Sequence, residues 1–361
     1  MCIRVTTSLG GTASNVTVGK VAHGLMMMTW TPNQVPDEQC FEAIKAGVDA
    51  LPPGTKMFLN GGEFYGHNLS TANLEMIARF FEKYPDYADK TFLSIKGGLR
   101  PGAVPLPDGS PANLRRSVEL INEKLRGTKR LDLFQSARVD PNVSLEESIR
   151  TLVELKQEGK LDHIGMSECS AETLRRGNAI HPIAAVEIEV SPWEYGEEAK
   201  KGTSSDIISC NPCWSSSSSI LSVIAAAEEL GIAVITYSPL GRGFLTGQIK
   251  RPEDIPEGDL RRSLPRFQED NFKHNFAIVD ALTAIARSKN VTSAQLSIAW
   301  VASLGKHVIP LPGSSHAKRT RENCAAGDIE LSTEDIAEIN SVINAADVKG
   351  DRYAHQAYLW G

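Results

Sequence analysis

LDLFQSARVDPNVSLEESIRTLVELKQEGKLDHIGMSECSAETLRRGNAI, residues 131–180, contains one structural unit twice. LDLFQSARVD (131–140) is short and strand-like. LEESIRTLVELKQEGK (145–160) spaces its apolar residues as a helix does, with Ser144 as its N-cap. HIGMSEC (163–169) is again strand-like, and AETLRRGNAI (171–180) again helical. Upstream the same alternation gives GLMMMTW (24–30) before PDEQCFEAIKAGVDA (36–50), and KMFLN (56–60) before NLEMIARFFEKY (73–84). TFLSIKGG (91–98) then precedes ANLRRSVELINEKLRG (112–127), which ends at Gly127. Downstream, AAVEIEVS (184–191) leads to a helix ending in VIAAAEELG (223–231). IAVITYSPL (232–240) leads through a longer connection to FAIVDALTAIARSKN (276–290) and SAQLSIAWVASLG (293–305). HVIPLPG (307–313) leads to AKRTRENCAAG (317–327), and STEDIAEINSVINAA (332–346) lies outside the repeat.

Eight strand–helix units without a linker predict an α/β fold, a (β/α)8 TIM barrel. It is read as one domain, 1–361, with a core over about 20–330, a short N-terminal extension and additional C-terminal helices. A Rossmann sheet would need G-x-G-x-x-G after an early strand. The nearest match, Gly241-Arg-Gly243-Phe-Leu-Thr-Gly247, has the wrong spacing and comes late. The Ser-rich stretch 202–222 breaks the rhythm inside what otherwise reads as one helix. It is either a tolerated surface insertion or a translated retained intron; a transcript lacking these codons decides between them.

The chain has 361 residues, 41% of them hydrophobic and 23% charged, with a formal net charge of −6. That balance argues against nucleic acid as the main partner, which needs a basic face. Mean hydropathy is −0.20, and no apolar run reaches the ~18 residues of a membrane span. The first residues lack the apolar core of a signal peptide, so a cytoplasmic, soluble chain is expected. Six cysteines are too few for a disulfide scaffold. Cys210-Asn-Pro-Cys213 has no second CxxC or CxxH, so no metal site is expected.

In such a barrel the site lies at the C-terminal ends of the strands. Asn60-Gly-Gly-Glu-Phe-Tyr65-Gly66 follows strand two, and Lys96 ends strand three. A Tyr and a Lys on neighbouring strand ends can meet. The ammonium would lower the phenol from ~10 and suit it to a proton relay. Otherwise they are a surface Tyr and a solvated Lys. After strand eight, Ser314, Ser315 and Arg319 stand at the start of a helix, where free N–H groups and basic side chains can hold a phosphate. The alternative is a capped helix with a solvated basic face. Met26 to Met28 read as filling of barrel strand one, and His67 as a solvated loop histidine.

The chain resembles the aldo-keto reductases over about residues 20–330. The motifs are FYG (64–66), LSIKGG (93–98), LDLFQ (131–135), GKLDHIGMSE (159–168), TYSPLGRGFLTG (236–247) and IPLPGSSHAKRTRENCAA (309–326). Asn60 to Tyr65, Gln135-Ser-Ala-Arg138-Val-Asp140 and Gly165-Met-Ser167-Glu168 are most similar to the fungal pyridoxal reductase branch. The resemblance implies that Tyr65 is the general acid and Lys96 the residue that tunes it. Asn60 stands where most members have Asp, and Ala137 where most have His. Arg138 beside it has the wrong strand parity for direct substitution unless the strand bulges or ends there. The resemblance also implies NADPH. Ser167, Glu168 (usually Asn) and Glu187 (usually Gln) would lie at the carboxamide, and Tyr237 would stack on the nicotinamide. Ser238, Leu240, Gly241 and Arg242 would cover the pyrophosphate. Ser314, Ser315 and Arg319 would clamp the 2′-phosphate, with Glu322 and Asn323 at the adenine. Trp30 and Phe64 are expected either as substrate-pocket walls or as barrel-mouth packing. The implied reaction is reduction of an aldehyde, pyridoxal to pyridoxine, in vitamin B6 metabolism. A broad-specificity aldehyde or ketone reductase and a non-catalytic, NADPH-binding, channel-associated β-type subunit remain as alternatives. The oligomeric state is not legible.

Overall fold

The computed structural model describes residues 3–102, 105–195, 220–353 and 361. An antiparallel hairpin, β1 (Thr6–Ser8) and β2 (Thr17–Gly19), precedes eight parallel strands in one sheet. These are β3 (His23–Gly24), β4 (Met57–Gly62), β5 (Thr91–Gly97), β6 (Leu133–Ser136), β7 (His163–Ser167), β8 (Ala185–Glu189), β9 (Ala233–Tyr237) and β10 (Val308–Leu311), paired in chain order. The sheet closes on itself. The Ala22 and Gly24 N–H groups donate to the Pro310 and Pro312 carbonyls at 2.8 and 3.0 Å, and Gly24 bridges Gly313. The expected barrel is the observed one.

Residues alternate inward and outward along each strand. Outward residues such as Leu59, Leu93, Phe134, Ile164, Val186 and Val308 are buried in a continuous core with the surrounding helices. These include α1 (Met26–Thr29), α2 (Asp37–Val48), α3 (Ala72–Lys83), α4 (Pro111–Leu125), α5 (Leu145–Gln157), α6 (Ala171–Ile180) and α7 (Ile220–Leu230). Four more follow: α8 (Glu269–Ser288), α9 (Ser293–Ala302), α10 (Ala317–Ala325) and α11 (Thr333–Ala345). Each such buried side chain contributes about 1.5–3 kcal/mol. Ser144 caps α5 as its sequence predicts, accepting from the Glu147 N–H at 3.1 Å. Inward residues low in the barrel are also apolar. Phe58, Phe92, Leu133, Ala185, Ala233 and Ile309 pack with Leu9, Ala13 and Val18, so the N-terminal extension plugs the barrel floor.

Two expectations change. Met26–Thr29 is a turn of helix, and strand one is only His23–Gly24. The Met run therefore does not fill the barrel; Met28 is buried while Met26 and Met27 are half-buried. The helix expected at 276–290 starts earlier, at Glu269. The 202–222 segment lies outside the described residues except for 220–222, which open α7, and so do Cys210 and Cys213. Among the described residues no group of His, Cys, Asp and Glu could hold a metal ion. No helix among them is long and apolar enough to cross a membrane.

His23 ties the first strand to the loop after the last. Its Nε2 donates to the Ser314 carbonyl at 2.8 Å, while buried Nδ1 has no partner among the described residues. Burial depresses its pKa to about 4, with the Ser314 carbonyl opposing. An unfolded histidine protonates near ~6.5, so as pH falls the unfolded chain takes the proton first. The contribution is complete above about 6.5 and is lost on the way to 4, at about 1.4 kcal/mol per pH unit. We expect His23→Asn to flatten that part of a denaturant-measured stability profile. An unchanged slope would show that the histidine protonates without unfolding.

Candidate active site

The inner face becomes polar toward the C-terminal ends of the strands. Ser94 and Lys96 stand above Phe92, Gln135 above Leu133, Glu187 and Glu189 above Ala185, and Ser167 above Gly165. Register sets Lys96 level with Gly62 and Gln135, Ser167 level with Glu187, and Glu189 level with Tyr237.

Tyr65 sits on the loop after β4. Its ring covers Gly62 so closely that a Cβ there would lie 2.8 Å from ring carbons, which is why glycine occupies that position. Thr29 Oγ1 donates to the Tyr65 carbonyl at 2.6 Å. Asn73 fixes the loop from α3, its amide donating to Thr29 Oγ1 at 2.9 Å and its oxygen accepting the Gly62 N–H at 3.2 Å. Trp30 and Phe64 flank the Tyr65 ring, with centroids 5.7 and 5.2 Å away.

The Lys96 ammonium lies 5.8 Å from the Tyr65 ring centre and 5.6 Å from that of Tyr237. It donates to Glu187 Oε1 and, at 3.2 Å, to Asn60 Oδ1. Glu187 Oε2 accepts from Asn60 Nδ2 at 2.8 Å and Gln135 Nε2 at 2.5 Å. The expectation of a lowered Tyr65 pKa is reversed here. Burial pushes the phenol above its ordinary value; Lys96 opposes, but Glu187 adds to the rise. Lys96 is likewise raised, since Glu187 and Tyr65 together outweigh its burial. Tyr65 is thus a buried, protonated phenol across neutral pH.

Arg138 follows the end of β6 at Ser136, so strand parity does not bind it. Its Nη1 turns back to the Ala137 carbonyl at 2.6 Å, and its charge reaches Tyr65. Among the described residues it has no carboxylate within ion-pair distance.

Beside this cluster lies a second network that sequence reasoning missed. Arg352 is buried and pairs with Glu168 at 3.2 Å, Glu189 at 2.9 Å and Glu194 at 3.5 Å. It also donates to the Tyr237 hydroxyl at 2.9 Å, which in turn donates to Glu168 Oε1 at 2.8 Å. Arg242 pairs with Glu189 at 3.2 Å and stacks 4.5 Å from the Tyr353 ring centre. The residues expected at the nicotinamide and pyrophosphate are therefore joined to the C-terminal segment. Nothing in Arg352-Tyr353 forms a motif. The one available signal was Glu187-Ile-Glu189, two acids sharing one face of an apolar strand.

Glu168, Ser238 and Arg242 adopt φ of 51°, 53° and 57°, which side chains rarely do. Each costs about 1–3 kcal/mol and persists where surroundings enforce it. Gly241, at φ 54°, approaches Trp193 so closely that a Cβ would lie 2.8 Å from its ring. Leu240 packs beside Val21, Ile298 and Ala326. Ser167 Oγ is buried without a partner among the described residues, a costly state for a hydroxyl unless a ligand uses it.

Ser314 is buried, accepting the His316 N–H at 3.1 Å. It leads into α10, whose N-terminus has no side-chain cap. Ser315 is half-buried, and Arg319 is exposed with only Gln248, at 3.4 Å, as a side-chain partner among the described residues. Glu322 accepts from Thr292 at 2.7 Å, and Asn323 is buried. The free donors of this turn and the Arg319 guanidinium suit an anion.

The chain matches the model of the aldo/keto reductase family over residues 20–344. It is 35% identical over 344 residues to a Schizosaccharomyces pombe protein named "Probable pyridoxal reductase 2", covering 94% of this chain and 96% of the relative. It is 34% identical over 300 residues to the aldo-keto reductase yakc [NADP(+)] of the same organism, covering 82% and 81%. The glycerol dehydrogenase AKR11B4 of Gluconobacter oxydans superposes with a TM-score of 0.75 at 22% identity, covering 98% and 99%, and so shares the fold.

Proposed function

This chain belongs to the aldo/keto reductase family, and from that premise we propose that it reduces pyridoxal to pyridoxine with NADPH, in cytoplasmic vitamin B6 metabolism. As a family member it is a nicotinamide-dependent oxidoreductase acting on a small carbonyl compound. We read it as one barrel domain, with 202–222 as an insertion.

The observation that carries the reading is the convergence of Tyr65, Lys96 and Glu187 on the inner face at the C-terminal strand ends. When bound, the nicotinamide supplies a hydride to the carbonyl carbon. Tyr65, protonated at neutral pH, donates to the carbonyl oxygen. Lys96 stabilises the phenolate left behind, and Arg138, beside the Ala137 that stands where most members have a histidine, the negative charge gathering on that oxygen. Trp30 and Phe64 offer flat walls to an aromatic aldehyde.

The residues fit the nucleotide. Ser167, with its unused hydroxyl, would hold the carboxamide beside Glu168, with Tyr237 against the ring. The strained Ser238, Leu240, Gly241 and Arg242 loop would take the pyrophosphate. Ser314, Ser315 and Arg319 would take the 2′-phosphate, with Glu322 and Asn323 at the adenine. Arg319→Ala is expected to raise the NADPH Kd about 10–100-fold, the cost of one charge-assisted contact, while leaving NADH within about twofold. Fluorescence titration measures both; equal losses would remove Arg319 from the clamp.

NADPH oxidation across an aldehyde panel tests the substrate. A kcat/KM at least about tenfold higher for pyridoxal than for a plain aromatic aldehyde supports the proposal. Equal values would indicate a broad reductase. Binding without turnover of any aldehyde would indicate a non-catalytic module.

A further inference from the structure

We infer that Glu187 is the charge partner that holds Lys96 in place beside Tyr65, and that Asn60 is an amide because this carboxylate stands on β8. The inference rests on Tyr65 as proton donor. Both oxygens of Glu187 are committed within the chain, Oε1 to Lys96 and Oε2 to Asn60 and Gln135, and the side chain is wholly buried. Glu187 is the one carboxylate within ion-pair distance of Lys96 among the described residues. Asn60 knits the pair together, accepting from Lys96 at 3.2 Å and donating to Glu187 at 2.8 Å. A carboxylate at position 60 would set two anions about that close, and one would have to keep a proton. An amide at 60 and an acid at 187 are thus a single feature: the negative charge reaches Lys96 from across the barrel. Glu187 acts as a positioning residue, with its carboxylate spent on the lysine and not on the cofactor.

The groups facing Tyr65 and Lys96 are Glu187 from β8, Arg138 from the end of β6 and the Tyr237 ring from β9. With Glu187 present, the buried Tyr65–Lys96–Glu187 set is neutral while the phenol keeps its proton. Removing the carboxylate leaves a net positive charge, so the coupled Tyr65–Lys96 pair gives up its first proton at lower pH, whichever group releases it.

The test compares the full chain with Glu187→Gln and Asn60→Asp/Glu187→Gln. In the single variant we expect the alkaline limb of kcat to move down by about one pH unit or more. The NADPH Kd should stay within about twofold, and the thermal midpoint should fall. In the double variant the limb and the midpoint should return toward the parent values, because the carboxylate now reaches Lys96 from β4. A single variant with an unmoved limb, or one whose main defect is NADPH affinity, overturns the inference. A double variant no better than the single also overturns it, including one that fails to fold. If the single does not fold, a folded double with the parental limb sustains the inference and one with a displaced limb overturns it. If no aldehyde turns over, the proposed function fails, while NADPH affinity and the unfolding comparison still report on Glu187.

Discussion

Tyr65→Phe is expected to lower kcat by about 1,000-fold, within the 10²–10⁴ that a positioned proton donor supplies, with the NADPH Kd kept within about twofold. The substitution removes one oxygen. The ring that packs beside Trp30 and Phe64 is kept. Lys96 keeps Glu187 and Asn60 as partners, so no buried charge is orphaned. Loss of turnover with unchanged folding and cofactor affinity therefore isolates the proton transfer. Steady-state kinetics beside fluorescence titration measure both. Retained turnover would show that the proton comes from elsewhere, and the role of Lys96 would fall with it.

Arg352→Ala is expected to destabilise the chain by about 3–5 kcal/mol, because removing one member of a buried ionic set leaves its partners uncompensated. Glu168, Glu189 and Glu194 all face this guanidinium, and the first two are almost wholly buried. Burial pushes Glu189 up, but Arg242, Arg352 and Arg266 overcome it and hold the carboxyl down to about 2. The unfolded value is higher, near ~4.3, so this carboxylate adds stability above that pH and loses it as pH falls toward 2. With Arg352 gone the depression shrinks, and acid unfolding should begin at higher pH. Denaturant titration at neutral and acidic pH reads both effects. A loss under about 1 kcal/mol would mean that the C-terminal segment is loosely docked and that Arg242 and Arg266 suffice. Arg352→Lys separates charge from geometry: it keeps the cation but loses the fork that reaches Glu168, Glu189 and the Tyr237 hydroxyl together.

The barrel was legible because its determinants are local. Alternation of period-2 and period-3.6 segments, the Ser144 cap and the short connections act within a dozen residues, and eight repeats leave few ways to bury the apolar faces. Where the reading failed, the cause was competition at short range. Met26 to Met28 is apolar enough for a strand, yet the chain turns into helix once β3 has made its few barrel bonds. Tyr65 and Lys96 could be paired from sequence because strand ends on neighbouring staves meet by topology alone.

The environment of that pair was not legible. The amide of Asn60 carries no charge to pair with Lys96; only closure of the sheet brings Glu187, 91 positions beyond Lys96, to its ammonium. Parity turns Arg138 away from the site unless the strand bulges or ends there, and β6 ends at Ser136, which no local pattern marks. Arg352 reaches the mouth over a separation of 184 residues from Glu168. Sequence alone determined the architecture, since it follows from periodicity and strand order, and it set Tyr65 and Lys96 on neighbouring strand ends, where the resemblance to the family gives the phenol and the amine their proposed roles. The sign of the phenol's proton affinity, the lysine's partner and the tail seated beside the site depended on tertiary structure, because burial and through-space charge are set by which groups the closed barrel excludes from water together.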